Sequence, residues 1–334
     1  MKVLVTGANG FVGCHVVAAF LARGHEVRAL VRPSADVSAR GWPVEVEVAR
    51  ADLRLSRALR ETCVGVDAVI HLAARMGGSE TQQFETTVGG TERLIEAMRD
   101  TGTRRFVLAS SYAVYDWSAI EGALTEASPV VGNRLVERGP YTVAKAWQER
   151  VTRRLATEEG FELTVVRPGF VWGRDHVWLS GMGQRYLGVH VVFGRSTLLP
   201  ITYVENCADA FVTATVQDSA RGETFNVVDD EPVTTWRYTA EYLRRTGTPG
   251  RLVAVPYPAA LAASRVGAAV GRRLFAGGGD LPDLFVPARV EAQFKPLAFP
   301  NDRIHALGWR PRWSFEEALE RSYRPWTAAP QAGT

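Results

Sequence analysis

The chain has 334 residues, of which 46% are apolar and 22% charged, enough to bury a full core in one large domain with a smaller lobe beside it. A net charge of +3, with arginines scattered rather than striped, excludes a nucleic-acid surface, and the absence of any run of about 18 apolar residues excludes a membrane span. The six histidines show no metal-ligand spacing, and three well-separated cysteines (Cys14, Cys63, Cys207) fit reduced thiols in a cytoplasm.

Lys2 to Thr6 is a short apolar run of the kind expected for a parallel strand buried on both faces. Gly7-Ala8-Asn9-Gly10-Phe11-Val12-Gly13 follows as a glycine-rich turn. Val16 to Leu21 predicts a helix that Gly24 ends, and His25 to Val31 predicts a second strand. This order gives each glycine a separate task. Gly7 permits the sharp turn, Gly10 admits a pyrophosphate to the backbone, and Gly13 lets helix and sheet pack closely. The spacing is Gly-x-x-Gly-x-x-Gly. The helix N-terminus then faces the phosphates with free N–H groups.

Further along, Val44 to Val48 predicts a third strand, followed by Asp52-Leu53. Asp67 to Ala74 predicts a fourth strand, in which His71 reads as a packed core histidine. Thr86 to Met98 predicts a helix, Arg105 to Ala109 a fifth strand, and Leu163 to Gly173 a further strand with its exit loop. Alternating strands and helices define an α/β chain with a doubly wound parallel sheet.

Tyr141 and Lys145 are spaced i, i+4 in a helical segment and therefore share a face. Lys145 is one of only three lysines in an arginine-rich chain, with Lys2 and Lys295. An ammonium beside a phenol favours the phenolate, so the pair can tune a tyrosine for proton transfer; one ammonium falls short of bringing it to neutral pH, and a second cation, such as an oxidised nicotinamide, would help.

Together the glycine turn at Thr6 to Gly13 and the Tyr141 to Lys145 pair resemble the cofactor signature and catalytic pair of the extended short-chain dehydrogenase/reductases, which have a Rossmann fold. The resemblance implies catalysis by Ser111, Tyr141 and Lys145, since the hydroxyl four residues before Tyr115 is Ser111. It implies cofactor contacts from Gly7, Asn9, Gly10, Phe11, Val12 and Gly13, from Arg32 at the end of the second strand, and from Asp52 and Leu53. Leu72, Ala73 and Ala74 would line the riboses. Pro168, Gly169 and Val171, in a segment similar to the family's Arg-Pro-x-x-Val-x-Gly, would wall the nicotinamide. At the position of an acidic residue in NAD-preferring members stands Val31, followed by Arg32. NADP is therefore favoured, with NAD as the alternative. Asp52 is open to two readings, an adenine contact or a helix N-cap. Thr87 stands where the family carries Asn, and a hydroxyl cannot match an amide's reach.

Leu199 to Ala210 resembles the Tyr-Val-Glu-Asn stretch of the 3β-hydroxysteroid dehydrogenase-like branch, although Glu205-Asn206 can also be read as capping a helix over Ala208 to Val216. The resemblance implies a Rossmann domain over 1–173 that also receives 201–228, a substrate lobe over 174–200 and 229–326, and a tail over 327–334. Trp172, Trp178, Met182, Tyr186 and Phe193 read either as an apolar substrate lining or as ordinary core. The expected activity is hydride transfer between a nicotinamide and a secondary alcohol or ketone, acting on a small-molecule substrate. Nucleotide-sugar epimerisation and non-catalytic dinucleotide sensing are the alternatives. A homodimer and a cytoplasmic location, with no nucleic acid or membrane partner, complete the expectation.

Overall fold

A computed structural model describes residues 1–132, 135–274 and 282–323. The expected tail at 327–334 lies outside the described residues. The first half of the chain alternates strand and helix as β1 (Lys2–Thr6), α1 (Phe11–Ala22), β2 (Glu26–Val31), β3 (Glu47–Arg50), α2 (Ser56–Cys63), β4 (Ala68–His71), α3 (Glu80–Phe84), α4 (Gly90–Met98), β5 (Arg105–Ala109), α5 (Pro140–Glu159) and β6 (Glu162–Pro168). The second half comprises β7 (Phe170–Trp172), β8 (Gln184–Tyr186), β9 (Val189–Phe193), β10 (Ile201–Tyr203), α6 (Val204–Val216), β11 (Thr224–Val227), α7 (Thr235–Thr246), β12 (Arg251–Val255), α8 (Tyr257–Leu274), α9 (Pro287–Phe294), α10 (Asp302–Ala306) and α11 (Phe315–Tyr323).

Seven strands form one sheet in the order β11-β6-β5-β4-β1-β2-β3. Every pairing within it is parallel. The central strands β1, β4 and β5 are apolar and buried almost throughout, as expected when helices cover both faces. One cover is α1 with α6, packed over Val16, Val17, Phe20, Ala208, Phe211 and Val212. The other is α2, α4 and α5, packed over Leu59, Leu94, Met98 and Ala156. The strand order reverses between β1 and β4, so the carboxyl ends of β1, β4 and β5 open a crevice at this switch point.

The third strand sits later than the sequence suggests, at Glu47–Arg50 instead of Val44–Val48, because its pairing register to Arg28–Val31 places it there. Between α3 and α4 the helix widens into a π segment over Glu85–Gly89, a feature often found at functional sites. The remaining strands form two small sheets, β10 with β7 and β12-β9-β8, and β7 follows directly on the carboxyl end of β6. Trp172, Met182 and Phe193 are fully buried core in this region, whereas Trp178 and Tyr186 are exposed. For the three buried residues the reading as core prevails over the reading as substrate lining.

Candidate active site

At the end of β1 the chain turns through Gly7 with φ +68, a left-handed conformation that favours glycine. A Cβ on Gly13 would lie 2.1 Å from the Gly7 carbonyl oxygen, and one on Gly7 would press 3.0 Å from the Ala73 backbone. These glycines are set by backbone approach. The N-cap of α1 is Gly10, and no side chain caps the helix. The first-turn N–H groups at Phe11, Val12 and Gly13 therefore keep their capacity for an anion, supported by the helix dipole. The cradle fits the pyrophosphate of a dinucleotide.

Asn9 directs its side chain sideways, donating to Asp36 O at 3.1 Å and accepting from Arg40. Phe11 stacks on His176 with ring centroids 3.9 Å apart. Arg32 stands exposed at the end of β2, and no hydrogen-bond or ion-pair partner holds its guanidinium among the described residues. Asp52 is gripped by Arg54, with Nη2 to Oδ2 at 2.6 Å. That hydrogen bond holds its carboxyl below the usual range. It is not the N-cap of α2, which is Leu55. Leu53 packs against Gly90 at the head of α4. Leu72, Ala73 and Ala74 continue β4 into the crevice and are half-buried.

The loop after β5 places its two serines on opposite sides. Ser110 donates to the buried Glu149 Oε2 at 2.6 Å. Ser111 accepts from Ala113 N at 3.1 Å, capping a short 3-10 turn, and its hydroxyl pulls the nearby Tyr141 phenol down. Tyr141 lies in the first turn of α5, which opens on Gly139 at φ +91 and Pro140. Lys145 is fully buried one turn on. Its Nζ donates to Ala109 O at 2.7 Å and to Gln148 Oε1 at 2.9 Å.

The electrostatics differ from the sequence expectation of a lowered phenol. Burial pushes the Tyr141 phenol up, and the nearby Ser111 hydroxyl opposes this only in part. The Lys145 ammonium is turned to the β5 carbonyl and to Gln148. It is itself pushed down to about 7 by burial, with Glu149 opposing. Tyr141 is a protonated donor at neutral pH.

Two buried networks support this pair, and the sequence reading missed both. In one, Arg167 binds Glu149, with Nε to Oε2 at 3.0 Å, and lies 4.6 Å over the Tyr115 ring. Arg153 adds a second cation to Glu149 at 2.9 Å. Burial would raise the Glu149 carboxyl, but Arg167 and then Arg153 hold it below the usual range. In the other, Gln148 Nε2 reaches Thr91 Oγ1 at 2.9 Å, Thr91 meets His71 Nε2 at 2.9 Å, and His71 Nδ1 meets Thr6 Oγ1 at 2.7 Å. His71 is the core histidine expected, pushed down to about 3 by burial and then by Lys145. The signal for Gln148 and Glu149 was their i+3 and i+4 spacing from Lys145 on one helix face. Thr87 accepts from Arg75 N at 3.1 Å, and the amide that meets Lys145 is that of Gln148.

Pro168 ends β6 and is buried. A Cβ on Gly169 would meet Pro200 O at 2.2 Å, so only glycine joins β6 to β7 here, with Val171 half-buried beyond it. Glu205 and Asn206 do not cap α6, which starts at Val204. Glu205 instead accepts from Arg321 at 2.8 Å and from Trp313 Nε1 at 2.9 Å, while Asn206 donates to Asp229 and to Trp313 O. The Tyr-Val-Glu-Asn stretch thus ties α6 to the C-terminal segment. Among the described residues, no cluster of His, Cys, Asp and Glu could hold a metal ion, and no helix is long and apolar enough to cross a membrane.

Crevice, glycine turn and buried helix pair together define a dinucleotide-binding enzyme of the doubly wound class. A sequence profile of the NAD dependent epimerase/dehydratase family matches residues 3–227, and the chain belongs to that family. It is an extended short-chain dehydrogenase/reductase of the 3β-hydroxysteroid dehydrogenase-like branch, an NAD(P)-dependent oxidoreductase. It is 29% identical over 263 residues to a 3 beta-hydroxysteroid dehydrogenase/Delta 5-->4-isomerase of Mycobacterium tuberculosis, covering 74% of this chain and 70% of that one. Over 329 residues it is 28% identical to a 4-hydroxy-2-methyl-3-oxo-4-farnesyl-3,4-dihydroquinoline-1-oxide ketoreductase of Stigmatella aurantiaca, covering 96% and 95% of the two chains. The fold is shared with gox2253, at TM-score 0.77 and 22% identity over 96% of each chain. It is also shared with the NAD complex of a Thermus thermophilus UDP-glucose 4-epimerase, at TM-score 0.68 and 22% identity over 97% of this chain and 98% of that one.

Proposed function

We propose that this enzyme reduces the ketone of a bulky, lipophilic substrate, reversibly, with Tyr141 as general acid and base. The observation that carries the reading is the Ser111 hydroxyl acting on the buried Tyr141 phenol, with Lys145 one helical turn on and bonded to the end of β5. When bound, the nicotinamide supplies or takes the hydride at the carbinol carbon. Gly7, Gly10, Phe11, Val12 and Gly13 hold the phosphates, and Ala73 and Ala74 flank the riboses. Pro168, Gly169 and Val171 back the ring. Tyr141 gives its proton to the substrate oxygen, and Ser111 steadies charge developing there. Lys145 orients the ribose and stabilises the phenolate left behind. A phenol raised by burial suits the reductive direction, because it carries its proton at neutral pH. A lipophilic substrate fits the steroid and farnesyl-quinoline names of the relatives.

NADP is the preferred cofactor in this reading. Arg32 is exposed and makes no hydrogen bond or close ion pair among the described residues, feeling Asp52 only at longer range while Arg54 grips that carboxylate, so a 2′-phosphate would find an available cation. The division into a cofactor domain and a substrate lobe over 174–200 and 229–326 belongs to the same proposal. So does a homodimer through the α3 and α5 faces, where Phe84 and Trp147 are 40% and 41% exposed. Three free cysteines support a cytoplasmic location.

Incubation with NADPH and a panel of steroid and isoprenoid ketones tests the activity. Net loss of nicotinamide absorbance with matching alcohol supports it. Cofactor-neutral isomerisation of a UDP-sugar, with no ketone consumed, would replace it by epimerisation.

A further inference from the structure

We propose that Gln148 is a positioning residue: it fixes the Lys145 ammonium through its Oε1 and ties that lysine, through Thr91, His71 and Thr6, to the glycine turn of β1. The inference rests on the proposed role of Lys145 and concerns how that role is set.

Gln148 is fully buried, and both ends of its amide are used. Lysine has only donors, so the amide faces it with Oε1, 2.9 Å away. Nε2 then points to Thr91 Oγ1 at 2.9 Å and toward Thr87 O and Ala73 O at 3.4 and 3.5 Å. Each further hydrogen is assigned by elimination. The Thr91 hydroxyl donates to Thr87 O at 2.5 Å, so its single hydrogen is spent. His71 Nε2 must therefore be the donor to Thr91 Oγ1, and His71 Nδ1 the acceptor. Thr6 Oγ1 donates to Nδ1 and accepts from Ala73 N at 3.3 Å. One arrangement satisfies every group, and it requires a neutral imidazole.

The chain of bonds therefore has no spare hydrogen to pass along. It is a tether, not a proton wire. It runs from the helix bearing Tyr141 to the residue preceding Gly7, joining the two segments that must be held in register for the proton donor to meet a bound cofactor. An apolar side chain at position 148 would remove one of the two acceptors on Lys145 and leave Thr91 short of a donor. The charged and titratable groups acting on Lys145 are Glu149 on α5 and His71 on β4, with Arg167 of β6 acting through Glu149 and Tyr141 one turn before it on α5. From β5 it meets the Ala109 carbonyl.

The three lysines make a direct test practical. In protein labelled with carbon-13 lysine, the Lys145 Cε signal, assigned by its loss in Lys145→Met, is followed against pH without turnover. Gln148→Leu should lower the Lys145 midpoint by about one unit, the worth of a hydrogen bond to a charged group. Gln148→Glu should raise it, because it keeps an acceptor and adds a negative charge. Gln148→Asn, too short to reach, should behave as Gln148→Leu does, and decides the matter if the leucine variant does not fold. NADPH affinity, read by fluorescence, should weaken about tenfold in Gln148→Leu and in Thr91→Val. A Lys145 midpoint that stays put in all three Gln148 variants, or moves down in Gln148→Glu, overturns the proposal. If Tyr141→Phe and Lys145→Met retain turnover, the catalytic reading falls, while the tether is judged separately by the lysine titration.

Discussion

The half of the molecule built on the seven-stranded sheet and the half built on the two small sheets bury their charged groups differently. In the first, buried bonds among polar and charged side chains lie under the helix bearing Tyr141. Gly13 has no room for a Cβ, Gly169 has none either, and the groups beneath Lys145 are satisfied in a single way. In the second, two small sheets and a set of arginine–carboxylate pairs, such as Arg321–Glu205 and Arg237–Glu231, tie short helices together. Partly exposed pairs of that kind contribute little each. The difference lies in where charge is buried: glycines pressed against backbone occur in both halves, as at Gly13 and Gly183, but among the described residues the fully buried ion pair Arg167–Glu149 lies only under the Tyr141–Lys145 helix, whereas these pairs of the second half are partly exposed.

Replacing Lys145 by Met should sharpen the comparison most. Turnover should fall by about 10²- to 10³-fold as a preorganised cation is lost, while a cost to stability is removed. Lysine in an unfolded chain titrates near 10.5, and Lys145 does so at about 7 in the fold. Charging it therefore disfavours the folded state below pH 7, and this penalty fades as pH rises toward 10.5. The stability of Lys145→Met relative to the parent, followed by thermal melting, should be greatest below about pH 7 and shrink at alkaline pH.

Glu149→Gln comes next. It leaves Arg167 buried without its carboxylate and should cost about 3–5 kcal/mol in denaturant unfolding. Arg321→Ala on the substrate side should cost under about 1 kcal/mol by the same method. Comparable losses at the two sites would break the contrast. Gly13→Ala should cost about 1–3 kcal/mol and abolish NADPH binding, since the helix must move off the Gly7 carbonyl. The smallest effect should come from Arg32→Asp, which should leave stability unchanged and shift the preference between NADP and NAD by about tenfold, read from the two Kd values.

The doubly wound sheet was legible in the sequence because buried parallel strands are uninterrupted apolar runs, and the glycine turn because its spacing answers to steric demands. Ser111 was distinguishable from Ser110 only through the family pattern, and the structure turns the two in opposite directions. Gln148 and Glu149 went unread because their partners come from β4, α4 and β6, far away in sequence. The ionisation of Tyr141 was misjudged for a related reason. A four-residue spacing says that phenol and ammonium share a face. It does not say that the ammonium will be claimed by Ala109 O and Gln148, or that burial will raise the phenol. Glu205 and Asn206 looked like caps, yet their partners Arg321 and Trp313 lie more than a hundred residues on.

The central claim is that the Tyr141 phenol delivers the proton. Its most direct test is the rate of NADPH-dependent ketone reduction by Tyr141→Phe, measured on protein whose fold and NADPH affinity match the parent. A loss of about 10²- to 10⁴-fold in kcat, with the cofactor Kd unchanged, is the predicted result. Turnover within a few fold of the parent would contradict it.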